Sequence, residues 1–248
     1  MNTKTIALVT GANKGIGLAI ARQLGERGMA VWLGCRDAAR GETAAAELRG
    51  TGIAAQALTL DVTNADSIAQ AAARLGAETG ALDVLVNNAG VSLGNPMARA
   101  SEESVEDLRA MLEVNTLGPL MVTQAFLPLL RRSDGARVVM MSSGLASISD
   151  TADMASLIWG VGAAGYSASK AALNMLTVKL AKELVADGIK VNAADPGYTA
   201  TDLNGHTGPR SVEEAAGIAV ELATLDRMGP TGGFFNDGHA GRLARYRW

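Results

Sequence analysis

Thr10-Gly11-Ala12-Asn13-Lys14-Gly15-Ile16-Gly17 follows an apolar run at 6–10 and leads into a segment, 15–27, whose apolar residues recur at helical spacing. Its three glycines let the backbone turn tightly, approach a pyrophosphate closely and aim a helix N-terminus at its charge. The spacing is G-x-x-x-G-x-G rather than the more widespread G-x-G-x-x-G. The stretch predicts a strand, a glycine turn and a helix. As a dinucleotide cradle it offers Gly11, Asn13, Lys14, Gly15, Ile16 and Gly17 as contact residues.

Working outward, short apolar runs at 30–33, 55–60, 82–87, 137–142 and 189–194 alternate with amphipathic segments at 38–49, 64–79, 101–130, 165–187 and 211–224. That alternation predicts an α/β fold in which a doubly wound parallel sheet of about seven strands carries helices on both faces. Asp61-Val62-Thr63-Asn64 introduces the helix at 64–79, and Ser211 with Glu214 three residues later forms a capping box at the last one. A short final strand is expected at 233–236, whereas the tail at 242–248 shows no period. With 248 residues, 48% of them apolar, and no linker, the chain is expected to form one domain. Its cofactor-binding part covers about 1–140 and its catalytic and substrate part about 141–248.

The net charge of −3 without a basic stripe excludes nucleic acid and an anionic membrane as expected partners and points to a small molecule. A lone Cys35 forms no intrachain disulfide, and two His are too few for a usual metal cluster. The start, Met1-Asn2-Thr3-Lys4-Thr5, enters an apolar run too short for a signal or a membrane span, so a cytoplasmic, metal-free protein is expected.

A carboxylate at the end of the second strand normally takes the adenosine ribose hydroxyls and repels a phosphate there. This chain has Cys35-Arg36, with Arg40 four residues on, and Lys14 projects from the glycine turn. Three cations around a 2′-phosphate favour NADPH/NADP+ over NADH. Asp37 argues the other way if it, rather than Arg36, faces the ribose. Asp61 and Val62, after the third strand, suit the adenine, although Asp61 could equally start the next helix. Asn88, Ala89 and Gly90, after the fourth, suit the ribose.

Tyr166 and Lys170, four apart, share one helical face, and an ammonium beside a phenol lowers its pKa from about 10. Ser142-Ser143 ends the fifth strand, where a hydroxyl can hold a substrate oxygen as charge develops on it. A shift of one residue in strand register exchanges the two serines.

Taken in order, Thr10-Gly11-x-x-x-Gly15-x-Gly17, Asp61, Asn88-Ala89-Gly90, Asn115, Ser143, Tyr166-x-x-x-Lys170 and Pro196-Gly197 resemble the short-chain dehydrogenase/reductase family over essentially the whole chain. Lys14, Arg36 and Arg40 make it most similar to the NADPH-dependent carbonyl reductase branch. The resemblance implies a Rossmann fold and hydride transfer between NADP(H) and a ketone, aldehyde or secondary alcohol. It implies Tyr166 as general acid and base, Lys170 on the nicotinamide ribose and lowering the Tyr166 pKa, and Ser143 on the substrate oxygen. Asn115 completes the relay through its main-chain carbonyl. Pro119, which has no N–H, leaves that carbonyl without a helical partner, or merely bends the helix. Pro196, Gly197, Thr199 and Thr201 resemble the loop that grips the carboxamide and phosphates, and 202–209, with His206, reads as a mobile lid.

Ser143 and Tyr166 lie 23 positions apart, more than the family usually places there. The extra loop carries Met154, Leu157, Ile158 and Trp159, which either line a pocket for a bulky carbonyl or pack on a neighbouring subunit or the loop's own helix. Leu93, Met154, Trp159 and Tyr198 are the substrate-pocket candidates. Two alternatives stay open. A 3-oxoacyl thioester reductase wants a basic patch, for which Arg99 and Arg131-Arg132 are the candidates, and a non-catalytic NADP(H)-binding regulator typically loses the Tyr or Lys, both filled here. The resemblance also implies a homo-oligomer, dimer or tetramer, through the long helices, although a longer insertion before the Tyr accompanies monomers in some carbonyl reductases.

Overall fold

The structure, a computed structural model, describes residues 4–237 and 243–248; the first residues of the chain and the start of the tail at 242 lie outside the described residues. Its strands are β1 (Ile6–Thr10), β2 (Ala30–Cys35), β3 (Ala55–Thr59), β4 (Val84–Asn87), β5 (Arg137–Met141), β6 (Lys190–Ala194), β7 (Phe234–Asn236) and β8 (Ala244–Arg245). They form one sheet in the order β3-β2-β1-β4-β5-β6-β7-β8, parallel except for β8. The chain reverses direction across the sheet between β1 and β4, and the C-terminal strand ends on both sides of that point face one cleft. The fold is therefore the expected single-domain α/β architecture, with eight strands among the described residues in place of about seven. The eighth comes from the tail: two residues without a usable period pair antiparallel with β7, at Asn236↔Ala244 and Phe235↔Arg245.

The inner strands are buried on both faces, so alternate residues enter different cores. In β1, Ala7 and Val9 join a cluster with Ile20, Leu24 and Ile218, while Leu8 joins one with Trp32, Phe126 and Leu173. The first cluster lies under α1 (Gly15–Glu26), α2 (Ala38–Gly50) and α8 (Val212–Ala223); the second lies under α3 (Ala65–Thr79), α5 (Gly118–Leu130) and α7 (Ala164–Leu184).

The segment 101–130, expected as one helix, is three pieces: α4 (Val105–Leu112), a π turn at Glu113–Leu117, and α5. Pro119 supplies no N–H to the Asn115 carbonyl, and the Gly118 N–H instead reaches back five residues to the Glu113 carbonyl. Ser104 caps α4, accepting the Asp107 N–H at 3.1 Å, so the helix starts later than expected. The capping box at Ser211 and Glu214 is present. The insertion folds into a short helix, α6 (Ile148–Thr151), followed by turns.

Candidate active site

The glycine turn is set by β1 on one side and β4 on the other. Gly11 (φ +65°) and Gly15 (φ +58°) adopt left-handed backbone that other residues rarely tolerate. The Thr10 hydroxyl accepts the Asn88 and Ala89 N–H groups, both at 3.0 Å, and the Asn88 amide donates to the Thr10 carbonyl at 2.9 Å and the Gly11 carbonyl at 3.3 Å. Asn88, expected beside a ribose, thus uses its side chain to hold the turn. A Cβ on Gly17 would lie 2.5 Å from both the Gly11 carbonyl oxygen and Asn88 Nδ2, which is why α1 can begin this close to the turn.

The cradle fits a pyrophosphate. Helix α1 has no side-chain cap at Lys14 and no acid in its first turn, so its leading N–H groups are left to a ligand, and no atom lies within 4 Å of the place a Gly15 side chain would take.

At the adenosine end each expected cation faces a carboxylate of its own. Asp37 caps α2, accepting the Arg40 N–H at 3.0 Å, and also faces the Arg40 guanidinium at 3.5 Å, so its carboxylate belongs to the helix start. Lys14 is paired with Asp202, which also takes His206 Nε2 at 2.7 Å. Asn64, not Asp61, caps α3, accepting the Ser67 N–H at 2.9 Å. Asp61 turns on itself, taking the Thr63 N–H at 3.0 Å and hydroxyl at 2.7 Å. Burial opposes ionisation of Asp61, but the Thr63 donors and the Arg36 charge hold its pKa below the ordinary value. Val62 packs on Gly118.

At the other end, Ser142 is buried and donates to Asn174 Oδ1 at 2.7 Å, which removes it from the cleft. Ser143 is the serine on the Tyr166 side: its Oγ accepts the Leu145 N–H at 3.2 Å, and its hydroxyl acts to lower the Tyr166 pKa. Asn115 is fully buried: its Oδ1 accepts the Val91 N–H at 2.8 Å, and its Nδ2 donates to the Val91 carbonyl at 2.8 Å and to Ser169 Oγ at 3.0 Å. Ser169 in turn donates to the Tyr166 carbonyl at 2.7 Å. The π turn therefore locks the loop after β4 to the first turns of α7. Gly90 leaves room between them; a Cβ there would lie 3.3 Å from Asn115 Oδ1 and 3.4 Å from Lys170 Nζ.

A family profile described as short chain dehydrogenase matches residues 5–211. The chain belongs to the short-chain dehydrogenase family. The (−)-isopiperitenone reductase of Mentha piperita is 33% identical, with 92% of this chain and 95% of that one covered. The (+)-neomenthol dehydrogenase of Arabidopsis thaliana is 33% identical, with 94% and 96% covered. The crystal structure of NADPH-bound carbonyl reductase from chicken fatty liver is 30% identical and superposes with a TM-score of 0.84 over all of both chains.

In this short-chain dehydrogenase the electrostatics of Tyr166 correct one expectation. Burial, then the nearby Asp195 carboxylate, push its phenol up to about 12, against the Ser143 hydrogen bond. Lys170, whose Nζ lies 5.8 Å from the Tyr166 ring centroid and donates to the Met141 carbonyl at 2.7 Å, does not offset that rise. Burial itself pushes the Lys170 ammonium down to about 8.

The loop after β6 is built as a clasp. Thr199 is buried, its hydroxyl on the Gly197 carbonyl at 3.0 Å, and Gly197 itself has φ +72°. The Thr201 N–H goes to Asn204 Oδ1 at 3.2 Å, opening a turn at Asp202–Asn204 that Lys14 holds from the cradle. The substrate-pocket candidates are not gathered into an enclosed site. Leu93, Met154, Trp159 and Tyr198 are all exposed, and Leu157 is wholly so, which excludes packing of Leu157 on the loop's own helix. Arg131 is paired with Asp187 at 2.9 Å and Arg132 bonds the Gly80 carbonyl at 3.2 Å, so the two form no common basic patch. Among the described residues no group of three His, Cys, Asp or Glu is placed to hold a metal, and no helix is long and apolar enough to cross a membrane.

Sequence reading missed Asp195 and Tyr246, both of which reach the Ser143-Gly144 turn. The signal for Asp195 was its place, a charged residue directly after an apolar strand and before Pro196-Gly197. Tyr246 sits in a tail without a pattern and carried none.

Proposed function

We propose that this short-chain dehydrogenase reduces a ketone or aldehyde with NADPH, Tyr166 acting as the proton donor. The observation that carries this reading is the Ser143–Tyr166 hydroxyl pair, next to buried Lys170, at the strand ends the glycine cradle leads to. The NADPH-bound carbonyl reductase that superposes over the full chain supports it.

The cofactor, when bound, supplies the hydride. The α1 N-terminus with Gly11, Asn13, Gly15, Ile16 and Gly17 holds the pyrophosphate; Lys14, Arg36 and Arg40 take the 2′-phosphate; Asp61 and Val62 meet the adenine. Ala89, Gly90, Pro196, Gly197, Thr199 and Thr201 line the path to the nicotinamide. Each of those cations faces a carboxylate at an exposed position, and exposed pairs are readily exchanged for a phosphate.

Ser143 orients the substrate oxygen by hydrogen bonding. Tyr166 donates its proton to that oxygen as it becomes an alkoxide. A phenol near 12 remains protonated at neutral pH, and an alkoxide is a far stronger base than a phenolate, so the transfer runs downhill. The Lys170 ammonium stabilises the phenolate left behind, and Asn115 holds α7 so that Tyr166 and Lys170 keep their positions. The same reading makes the protein a cytoplasmic dimer or tetramer, and Val105, Leu117 and Met175 stand exposed on the elements that would meet.

Tyr166→Phe is expected to lower NADPH-dependent reduction of aromatic ketones and aldehydes by at least about 10³-fold while NADPH affinity, measured by fluorescence titration, stays within about twofold. Undiminished turnover would overturn the assignment.

A further inference from the structure

Asp195, at the end of β6, is a buried carboxylate that no step above uses. Its Oδ1 accepts the Gly197 N–H at 3.0 Å, and its Oδ2 lies against Gly144, 3.2 Å from where a Cβ there would stand. Gly144 directly follows Ser143, and Gly197 opens the clasp that contains Thr199. One side chain therefore joins the loops leaving two neighbouring parallel strands, whose register at Met141↔Ala194 brings those loops side by side. The Asp195 N–H bonds the Phe235 carbonyl at 2.8 Å, which anchors the residue to β7 as well.

The tail closes over this junction. The Tyr246 N–H donates to the Phe234 carbonyl at 2.7 Å, and the two rings lie 4.9 Å apart. A Cβ on Gly144 would stand 2.9 Å from the Tyr246 hydroxyl and 3.2 Å from Asp195 Oδ2, so both groups crowd a position that only glycine leaves open. Beyond it the tail grips the insertion. Arg247 pairs with Asp150 at 2.8 Å, and Ser149 donates its N–H and hydroxyl to the Trp248 carbonyl at 3.1 and 2.8 Å.

We propose that Asp195 is a positioning residue of the active site: its carboxylate fixes the Ser143-Gly144 turn against the Pro196-Gly197 turn and presents a fixed negative charge to Tyr166, while Tyr246 shields it on the tail side. The inference rests on Tyr166 as the proton donor. The groups facing the pair are few. Tyr166 meets Asp195, Ser143 and Lys170; Asp195 meets Tyr166, Tyr246, Arg210 before α8 and Asp237 after β7. Arg210 and Asp237 form an ion pair; burial raises the Asp195 pKa against its N–H donors and Arg210, and in its ionised form Asp195 opposes at the phenol the Lys170 ammonium, whose Nζ lies 5.8 Å from the ring. A negative charge opposes formation of phenolate, so removing it lets Tyr166 ionise at lower pH.

The test is the ultraviolet absorbance of phenolate in the unmodified enzyme and its variants. Each is compared with the same protein carrying Tyr166→Phe, which isolates Tyr166 from Tyr198 and Tyr246. In Asp195→Asn the fraction of Tyr166 ionised at mildly alkaline pH is expected to rise about tenfold, a shift of about one pH unit, and kcat for reduction to fall more than KM changes. Tyr246→Ala, at the sheet edge, lets water screen the carboxylate and is expected to move Tyr166 the same way by about half a unit. An unchanged Tyr166 titration in Asp195→Asn overturns the proposal; should that variant not fold, an unchanged titration in Tyr246→Ala does so. Absorbance is read without turnover, so this result stands apart from whether Tyr166→Phe abolishes activity.

Discussion

The two ends of the cleft are made of different material. Around Gly11–Gly17 the backbone forms the site, and the charged side chains nearby, Lys14 and Arg40, are exposed and held by single carboxylates. Around Tyr166 the site is made of buried polar side chains held by one another or by buried backbone: Ser142 on Asn174, Asn115 on the Val91 backbone and Ser169, Lys170 on the Met141 carbonyl. Exposed pairs contribute little to stability and exchange partners easily, whereas breaking a buried polar network leaves desolvated groups unpaired. On the proposed function, cofactor choice and proton transfer are therefore separable, the first set by surface charge and the second by burial.

The harshest way to break the contrast is at the backbone itself. Gly17→Val places atoms 2.5 Å from the Gly11 carbonyl and the Asn88 amide and is expected to destroy cofactor binding and to cost about 2–4 kcal/mol of stability, read by fluorescence titration and thermal unfolding. Normal NADPH affinity in that variant would show that the turn does not form the cradle. Arg36→Ala with Arg40→Ala is expected to weaken NADPH about tenfold or more, leave NADH within twofold and leave kcat at saturating cofactor nearly unchanged. An unaltered NADPH-to-NADH ratio would mean that the phosphate is read elsewhere. The gentlest probe is Asp202→Asn, which releases Lys14. NADPH affinity is expected to rise about twofold at low salt, and the gain to vanish at high salt, with little change in Tm.

The contrast also explains what the sequence made legible. Glycine spacing, strand alternation and capping residues act over a few neighbours, so the cradle, the first seven strands and the helix start at Ser211 could be read from local pattern. Tyr166 and Lys170 were legible as a four-residue spacing, but the proton affinity of Tyr166 was not. It depends on burial and on Asp195, which lies 29 positions away and arrives by way of β6. The choice between Ser142 and Ser143 needed Asn174, and the destination of Asp37 needed the first turn of α2. Strand β8 is two residues long, too short for any period, and forms because Tyr246 and Trp248 find the ring of Phe234.

The π turn at Glu113–Leu117 carries one residue more than a regular helix needs, and each helical residue advances the phase by about 100°. Val105–Leu112 and Gly118–Leu130 therefore run on different clocks, although only the π turn stands between them. Counting threes and fours from one across to the other names the wrong faces. The slip happens at Asn115, so the residue that ties the loop after β4 to α7 is also the hand-over point between two separately phased surfaces, free to vary in sequence independently of each other.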